Sequence, residues 1–221
     1  IPSSLEMAGR TALPLKTLLD ITNELPDVRL TIAVDEKNKA VITTDVGEYD
    51  LMAKPAEEFP KTPEQKDPTT MSIPGSTLKD VINKTSFAVS RDELKPALTG
   101  VLLQVSDSGT VAVSTDGHRL VKYSRSDFKS TGFNRDVIVP KKFLNYLSSH
   151  LGDDEVSLML AEDHLAAKVG NDVVVTRIVD EKFPNYESVI PNENNKRLVV
   201  EKEALLGAVR RVSIFSNKST H

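Results

Sequence analysis

The sequence repeats itself with a period of about 126 residues, and this repeat constrains the fold more than any other feature. Residues 13–18 (LPLKTL) have a counterpart at 139–144 (VPKKFL). Residues 71–73 (MSI), with the apolar positions after them, have a counterpart that begins at Leu198. Such self-similarity predicts an array of equivalent structural units. We expect the chain to be a piece of that array: the end of one copy, one whole copy, and the start of a third.

Composition excludes several classes of protein. The 221 residues include no cysteine, so disulfides, zinc–cysteine sites and thiol catalysis are excluded, and a reducing cytoplasm is the expected location. No apolar run is long enough to cross a membrane. The net charge of −4 is unusual for a nucleic-acid-binding protein. An acidic exterior and a basic inner surface would, however, give the same sum.

The spacing of apolar residues predicts an α+β fold. Residues 15–25 have apolar positions at helical spacing, and residues 28–34 alternate as in a strand. The pattern then occurs twice more, with helices predicted at 78–85 and 143–151 and strands at 101–105, 111–115, 156–160, 165–169 and from 173. One period therefore consists of two similar half-units, each a short helix followed by antiparallel strands. Polar, proline-containing stretches at 61–70 and 191–196 predict domains at 1–66, 70–192 and 197–221.

The most distinctive local motif is residues 115–120 (TDGHRL), between two predicted strands. The simpler interpretation is a hairpin turn, because Asp-Gly is a turn signal. The alternative is a binding loop in which His118 and Arg119 orient a ligand. An enzyme would have to use Asp116 and His118 as an acid–base pair. No nucleophile, metal-ligand spacing or phosphate-binding loop accompanies them, so we expect no catalytic residue, no metal and no cofactor.

The predicted helices carry cations at equivalent places. Any one of them is most simply a solvated surface residue. Together they favour a weakly basic wall that contacts a phosphate backbone without sequence preference. Aromatic residues make up only 5% of the chain, which favours a duplex over stacked single strands. The candidate DNA-facing residues are Lys16, Lys79, Lys84, Lys141, Lys142, Arg210 and Arg211.

Four motifs resemble the bacterial DNA polymerase III β subunit family of sliding clamps. They are residues 115–120 (TDGHRL), 137–142 (VIVPKK), 183–186 (FPNY) and 213–217 (SIFSN), in the family's order. The resemblance implies a protomer of three domains that share one fold. It also implies a head-to-tail homodimer that forms a ring, with helices lining the hole and sheets outside. Such a ring encircles duplex DNA and acts as a non-catalytic processivity factor.

The resemblance also implies a hydrophobic pocket that binds short linear motifs of the Gln-Leu-x-Leu-Phe kind. Replicative polymerase, clamp loader and repair proteins dock through such motifs in the family. Four apolar residues are expected to form walls, Gly117 to allow close backbone approach, and three polar residues to orient the peptide. The residues carried over are Leu98, Thr115, Gly117, His118, Arg119, Leu120, Pro184 and Val189.

The sequence departs from the family pattern at two places. Ser188 stands where some members have an arginine, and residues 95–97 (KPA) lack an aromatic pair found in some relatives. The pocket's remaining wall belongs to the family's third domain. The alternative function is a repeat-built scaffold that binds peptides and never encircles DNA. A hydrolase using Asp116 and His118 is the third hypothesis.

Overall fold

The computed structural model describes residues 3–61, 63, 67–130 and 135–216, which form two units, 1–64 and 65–221. Part of the predicted linker (62 and 64–66), Asn217 of the last motif, and His221 lie outside the described residues. Each unit is described by itself below.

Unit 1 consists of one helix and a three-stranded meander. Helix α1 (Leu15–Glu24) buries its Leu18 side against a small core at Ala40, Ile42 and Leu51. The meander has the strand order β2-β3-β4, and β1 pairs antiparallel with β5. The strands are β1 (Thr11–Ala12), β2 (Leu30–Val34), β3 (Lys39–Thr44), β4 (Gly47–Met52) and β5 (Lys54–Pro55).

Unit 2 contains two copies of the order strand, helix, three-stranded meander. Its helices are α2 (Gly75–Thr85), α3 (Lys141–His150) and α4 (Lys202–Ser213). Its strands are β6 (Thr69–Pro74), β7 (Gly100–Ser106), β8 (Gly109–Thr115), β9 (Leu120–Arg125), β10 (Arg135–Pro140), β11 (Glu155–Leu160), β12 (His164–Val169) and β13 (Asp172–Arg177).

The two halves of unit 2 exchange their leading strands. Strand β10, which leads into α3, joins the sheet of the first half, giving the order β10-β7-β8-β9. Strand β6, which leads into α2, joins the sheet of the second half, giving β13-β12-β11-β6. All of these pairings are antiparallel. Neither four-stranded sheet is therefore made by one half alone.

Equivalent hydrogen bonds join the halves where each helix begins. Gly75 N, at the start of α2, donates to Asp154 O just before β11, at 2.9 Å. Lys141 N, at the start of α3, donates to Thr99 O just before β7, at 3.3 Å. At Gly75 a Cβ atom would lie 2.6 Å from Gly152 O, so the close approach of the backbones requires glycine there.

One core fills the space between the helices and the two sheets of unit 2. Both helices contribute alternate turns, for example Leu78 and Ile82 from α2 and Leu144 and Leu147 from α3. Each sheet contributes the apolar side chains on the inner face of its strands. Successive side chains of a strand point to opposite faces, so alternate residues enter the core. Phe128, Ile73 and Val156 are among the largest fully buried side chains of this cluster. Helices α2 and α3 thus each bury one face in this core.

The predicted α+β fold and the repeat are confirmed. Helix α1 begins at residue 15 and α3 at residue 141, and the bridge between Ala12 and Lys54 has its counterpart between Ile138 and Val179. Pro74 precedes α2, and no side chain caps that helix. The backbone bond from Gly75 N replaces the cap. The three-domain division stays a prediction.

Candidate functional site

The β8–β9 loop is organised by the carboxylate of Asp116. Its Oδ1 accepts hydrogen bonds from His118 N at 3.0 Å and Arg119 N at 3.1 Å. Thr115 Oγ1 closes the loop by donating to Arg119 O and accepting from Gly117 N. The two backbone donors, first His118 N and then Arg119 N, hold the pKa of Asp116 below its usual value. The sequence motif is therefore an Asx turn that projects the His118 side chain into solvent.

Gly117 is required by its backbone conformation. Its φ of +91° lies in the region that side-chain-bearing residues avoid. A Cβ atom at this position would meet nothing within 4 Å. The expectation that a bound peptide backbone approaches Gly117 closely stays a prediction. The surface above Gly117 is open to a ligand.

Arg119 joins this loop to the end of α2. Its Nε donates to Asp116 Oδ2 at 3.0 Å, and its Nη2 donates to Phe87 O at 3.0 Å. The guanidinium carbon also lies 5.6 Å from the centre of the Phe87 ring. Phe87 is 52% exposed, which is high for a phenylalanine. Arg119 thus fixes the loop and supports an exposed aromatic ring beside it.

An apolar cluster on the outer face of the β10-β7-β8-β9 sheet adjoins the loop. Leu102, Val113 and Ile138 point away from the main core and are covered by Tyr186. The Tyr186 hydroxyl donates to Gln104 Oε1 at 2.6 Å, and burial raises its pKa. Further partly buried residues pack against this outer cluster: Ala97, Val111, Leu120, Val179, Phe183 and Ile190.

Four of the eight predicted pocket residues, the apolar ones expected to form its walls, either pack on the outer cluster or are next in sequence to residues that do. Leu120 packs on the outer cluster. Leu98 is next in sequence to Ala97, which also packs on the outer cluster. Pro184 and Val189 are exposed next to Phe183 and Ile190, and Val189 is 68% exposed. A groove of about 420 Å³ lies beyond Tyr186, between β10 and residues 178–187. Pro184 lines that groove, whereas the β8–β9 loop, Leu98 and Val189 do not.

Helices α2 and α3 pack side by side, and Ser148 Oγ donates to Asn83 Oδ1 between them at 3.0 Å. The predicted cations on this pair are not equally free. Lys79 Nζ donates to Leu151 O at 3.0 Å, where it neutralises the carboxyl end of α3. Lys142 is exposed and has no ion pair within the described part of the chain.

Lys84 belongs to a polar network that links α2 to β9. The Tyr123 hydroxyl donates to Asp80 Oδ2 and accepts from Lys84 Nζ and Arg125 Nη1. The Tyr123 hydrogen bond is the main cause of the lowered pKa of Asp80, and it also raises the pKa of Lys84. Arg125 in addition pairs with Asp127 and lowers the pKa of that carboxyl. The single carboxylate of α2 is therefore neutralised in place.

Of the other predicted DNA-facing residues, Lys141 lies on α3 beside Lys142, and the remaining three lie on α1 and α4. Lys141 is half-buried at the start of α3. Lys16 is exposed on α1 in unit 1, and Arg210 and Arg211 are exposed in the last turn of α4. The structure therefore brings four of the predicted cations together, on α2 and α3.

Comparison with known protein families decides the relationship of this chain. The profile described as the central domain of the DNA polymerase III beta subunit matches residues 72–185, more than half of the chain. The profile of the N-terminal domain of the same subunit matches residues 1–63. The chain belongs to the DNA polymerase III beta subunit family.

Individual members of the beta subunit family show how far the likeness extends. The beta sliding clamp of Pseudomonas putida is 36% identical over 95% of the chain, and that of Chlamydia pneumoniae is 30% identical over 96%. The chain spans 58% of the length of each. The crystal structure of the beta subunit from Pseudomonas aeruginosa has a TM-score of 0.84, at 34% identity over 97% of this chain and 60% of that one. The sliding clamp from Bacillus subtilis has a TM-score of 0.88, at 28% identity over 97% and 57%.

Sequence reasoning missed several residues that shape the surfaces of this chain. Phe87 carries no motif, and only its contact with Arg119 shows its place beside the loop. Asp116 was noted as a turn residue, and the Asp-Gly pair after a threonine was the signal for its organising role. Tyr146 and His150 stack on α3, and their spacing of four residues was the signal available.

The described residues contain no group of three or more histidine or acidic side chains placed to hold a metal ion. No helix among them is long and apolar enough to span a membrane.

Proposed function

We propose that this chain is the end of domain 1, the whole of domain 2 and the start of domain 3 of a sliding clamp. The complete protein forms a head-to-tail homodimeric ring that encircles duplex DNA in the bacterial cytoplasm, at the nucleoid. It acts as a non-catalytic processivity factor for the replicative polymerase. Family membership over both units supports this proposal. The relatives of this chain are beta sliding clamps.

The observation that carries the DNA-facing part of the proposal is the charge of the α2–α3 pair. Helix α3 contains no acidic residue, and the single acid of α2, Asp80, is paired with Arg125 and Tyr123. The pair is therefore positive although the whole chain has a net charge of −4. A ring held by topology needs only weak contacts, and a weak phosphate-contacting wall permits sliding.

The outer cluster and the β8–β9 loop form the proposed peptide-docking site. Leu98, Leu120, Pro184 and Val189 contribute apolar surface for the leucine and aromatic ends of a Gln-Leu-x-Leu-Phe motif. Thr115, Gly117, His118 and Arg119 form the polar rim, which the Asp116 turn holds in place. Polymerase, clamp loader and repair proteins dock here. The final wall comes from residues of the complete protein beyond this chain.

A template-linearisation experiment tests the ring. The complete protein is loaded on a circular DNA by its clamp loader, and retention is followed by gel filtration before and after a restriction cut. We expect the clamp to leave linear DNA within minutes and to stay on circles. Equal retention on both forms would refute topological attachment.

Two matched variants separate the proposal from a peptide-binding scaffold that never encircles DNA. Reversing charge at Lys141 and Lys142 should reduce processive synthesis and leave peptide affinity unchanged. The double variant Leu98→Ala, His118→Ala should lose binding of a fluorescent Gln-Leu-x-Leu-Phe peptide and retain DNA sliding. Unchanged processivity after charge reversal would favour the scaffold.

A further inference from the structure

The exposed face of α3 presents a polar stripe that ends in two stacked rings. Residues at spacings of three and four stay exposed, while Phe143, Leu144 and Leu147 are buried on the other side. The exposed stripe consists of Lys142, Asn145, Tyr146, Ser149 and His150. Every member can donate a hydrogen bond, and none is acidic.

The ring pair has a defined geometry. The rings of Tyr146 and His150 are 4.3 Å apart at an interplanar angle of 22°, which is a stacked arrangement. His150 Nδ1 lies 2.8 Å from Tyr146 O. Because a carbonyl oxygen only accepts, Nδ1 carries the hydrogen in this contact, and the neutral ring has none on Nε2. Nε2 makes no hydrogen bond within the described residues.

The surroundings of His150 favour an anionic ligand. His150 has no ion pair with a carboxylate in the parts of the chain that the structure describes. From the neighbouring helix α2, Lys79 reaches the carbonyl of Leu151, the residue after His150. Lys142 lies on the same stripe, eight residues or about 12 Å along the helix. A ligand that spans this distance with repeated negative charge matches the stripe.

We propose that His150 Nε2 contacts a DNA phosphate, with Lys142 on a second phosphate, and that Tyr146 positions the imidazole by stacking. This inference rests on the proposed function, since it assigns residues to its DNA-facing wall. Because a phosphate oxygen only accepts, the contact requires a proton from solvent on Nε2, through which the imidazolium donates. Tyr146 is a positioning residue that acts through His150.

Nitrogen NMR of the histidine-labelled chain tests the contact. A duplex of mixed sequence is added at low salt, and the Nε2 resonance of His150 is followed. We expect it to move toward the value of a protonated nitrogen, whereas His164, which is paired with Asp163, stays in place. Tyr146→Phe should retain the shift, and Tyr146→Ala should reduce it. The logarithm of the DNA-binding constant falls linearly with the logarithm of the salt concentration. His150→Ala should make this slope shallower by about 0.9, which corresponds to the loss of one phosphate contact.

The outcomes separate this inference from the proposed function. If backbone signals of α2 and α3 move with DNA while His150 Nε2 does not, the phosphate contact of His150 is wrong and the DNA-facing wall stands. If no signal on either helix moves, both fail. Lys168→Gln removes an exposed cation from strand β12 and serves as the control, whose salt slope should equal that of the unaltered chain.

Discussion

The guanidinium of Arg119 lies over the ring of Phe87 and donates a hydrogen bond to the carbonyl oxygen of the same residue. One side chain thereby ties the β8–β9 loop to the segment that follows α2. Its second partner, Asp116, holds the loop's own backbone donors. The conformation of the proposed docking loop therefore depends on contacts within the domain, before any peptide arrives.

Substitution of Asp116 should weaken peptide binding in two steps. Asp116→Asn keeps an oxygen for the backbone donors and loses the ion pair with Arg119, whereas Asp116→Ala loses both. We expect affinity for a Gln-Leu-x-Leu-Phe peptide to fall modestly with Asn and about tenfold or more with Ala, since two charge-assisted hydrogen bonds to backbone are lost. Fluorescence anisotropy on the complete protein measures this. Equal affinities for all three proteins would show that the turn does not shape the site.

Acid should destabilise unit 2 through its paired carboxylates. The pKa values of Asp80, Asp116 and Asp127 are lowered in the folded chain, so the folded chain binds fewer protons than the unfolded one. Their stabilisation is complete above the ordinary carboxyl pKa of about 4 and is lost as pH falls toward the lowered folded values. Urea unfolding from pH 7 to pH 3 should show this loss.

Tyr123→Phe provides the matched comparison for acid unfolding. It removes the hydroxyl that is the main cause of the lowered pKa of Asp80, and it keeps the ring. The variant should lose less stability than the unaltered chain between pH 5 and pH 3, taken as about one unit on either side of the ordinary pKa. An identical pH profile for both would mean that Tyr123 does not set the titration of Asp80.

Truncation of three leucines should distinguish core from docking surface. Leu158 is 3% exposed in the main core, and Leu158→Ala should cost about 2–5 kcal/mol in the free energy of unfolding. Leu98 and Leu120 are half-buried, and their truncation should cost clearly less while weakening peptide binding. Chemical denaturation measures the first effect and anisotropy the second. Losses of stability as large as that of Leu158→Ala would place both leucines in the core.

Gly75 should tolerate no side chain. The added Cβ of Gly75→Ala would lie 2.6 Å from Gly152 O and 2.9 Å from Asp154 O, both of them backbone atoms. We expect a loss of about 1–3 kcal/mol, as for other overpacked sites. Gly152→Ala is the control, because a Cβ there meets nothing within 4 Å. Similar melting temperatures for the two variants would contradict the close approach at the start of α2.

Local patterns were sufficient for helices α1 to α3 and for six of the thirteen described strands. Apolar positions at spacings of three and four predicted α2 and α3, and alternation predicted β7, β8, β11 and β12. The repeat predicted that the halves would match. It could not predict that β10 pairs with β7 of the first half and that β6 pairs with β11 of the second half. Strand pairing is decided by contacts between residues far apart in the sequence.

The candidate site was predictable as a set of residues and less so as an arrangement. The motif at 115–120 and the family resemblance located the loop and Leu120 at its end. The Arg119–Phe87 contact joins residues 32 positions apart, and no periodicity encodes it. The positive φ of Gly117 could likewise not be predicted from the sequence, because glycine occurs in turns of several conformations.

The exchange of β6 and β10 makes the two halves of unit 2 mutually dependent. Removing either half would leave the other with a three-stranded sheet, an exposed edge strand and an unpaired leading strand. Unfolding of one half would therefore remove a strand from the sheet of the other half. Intermediates in which only one half is folded are disfavoured for this reason. A protein assembled from repeated elements, which could have melted piece by piece, is expected to unfold within this unit in a single cooperative transition.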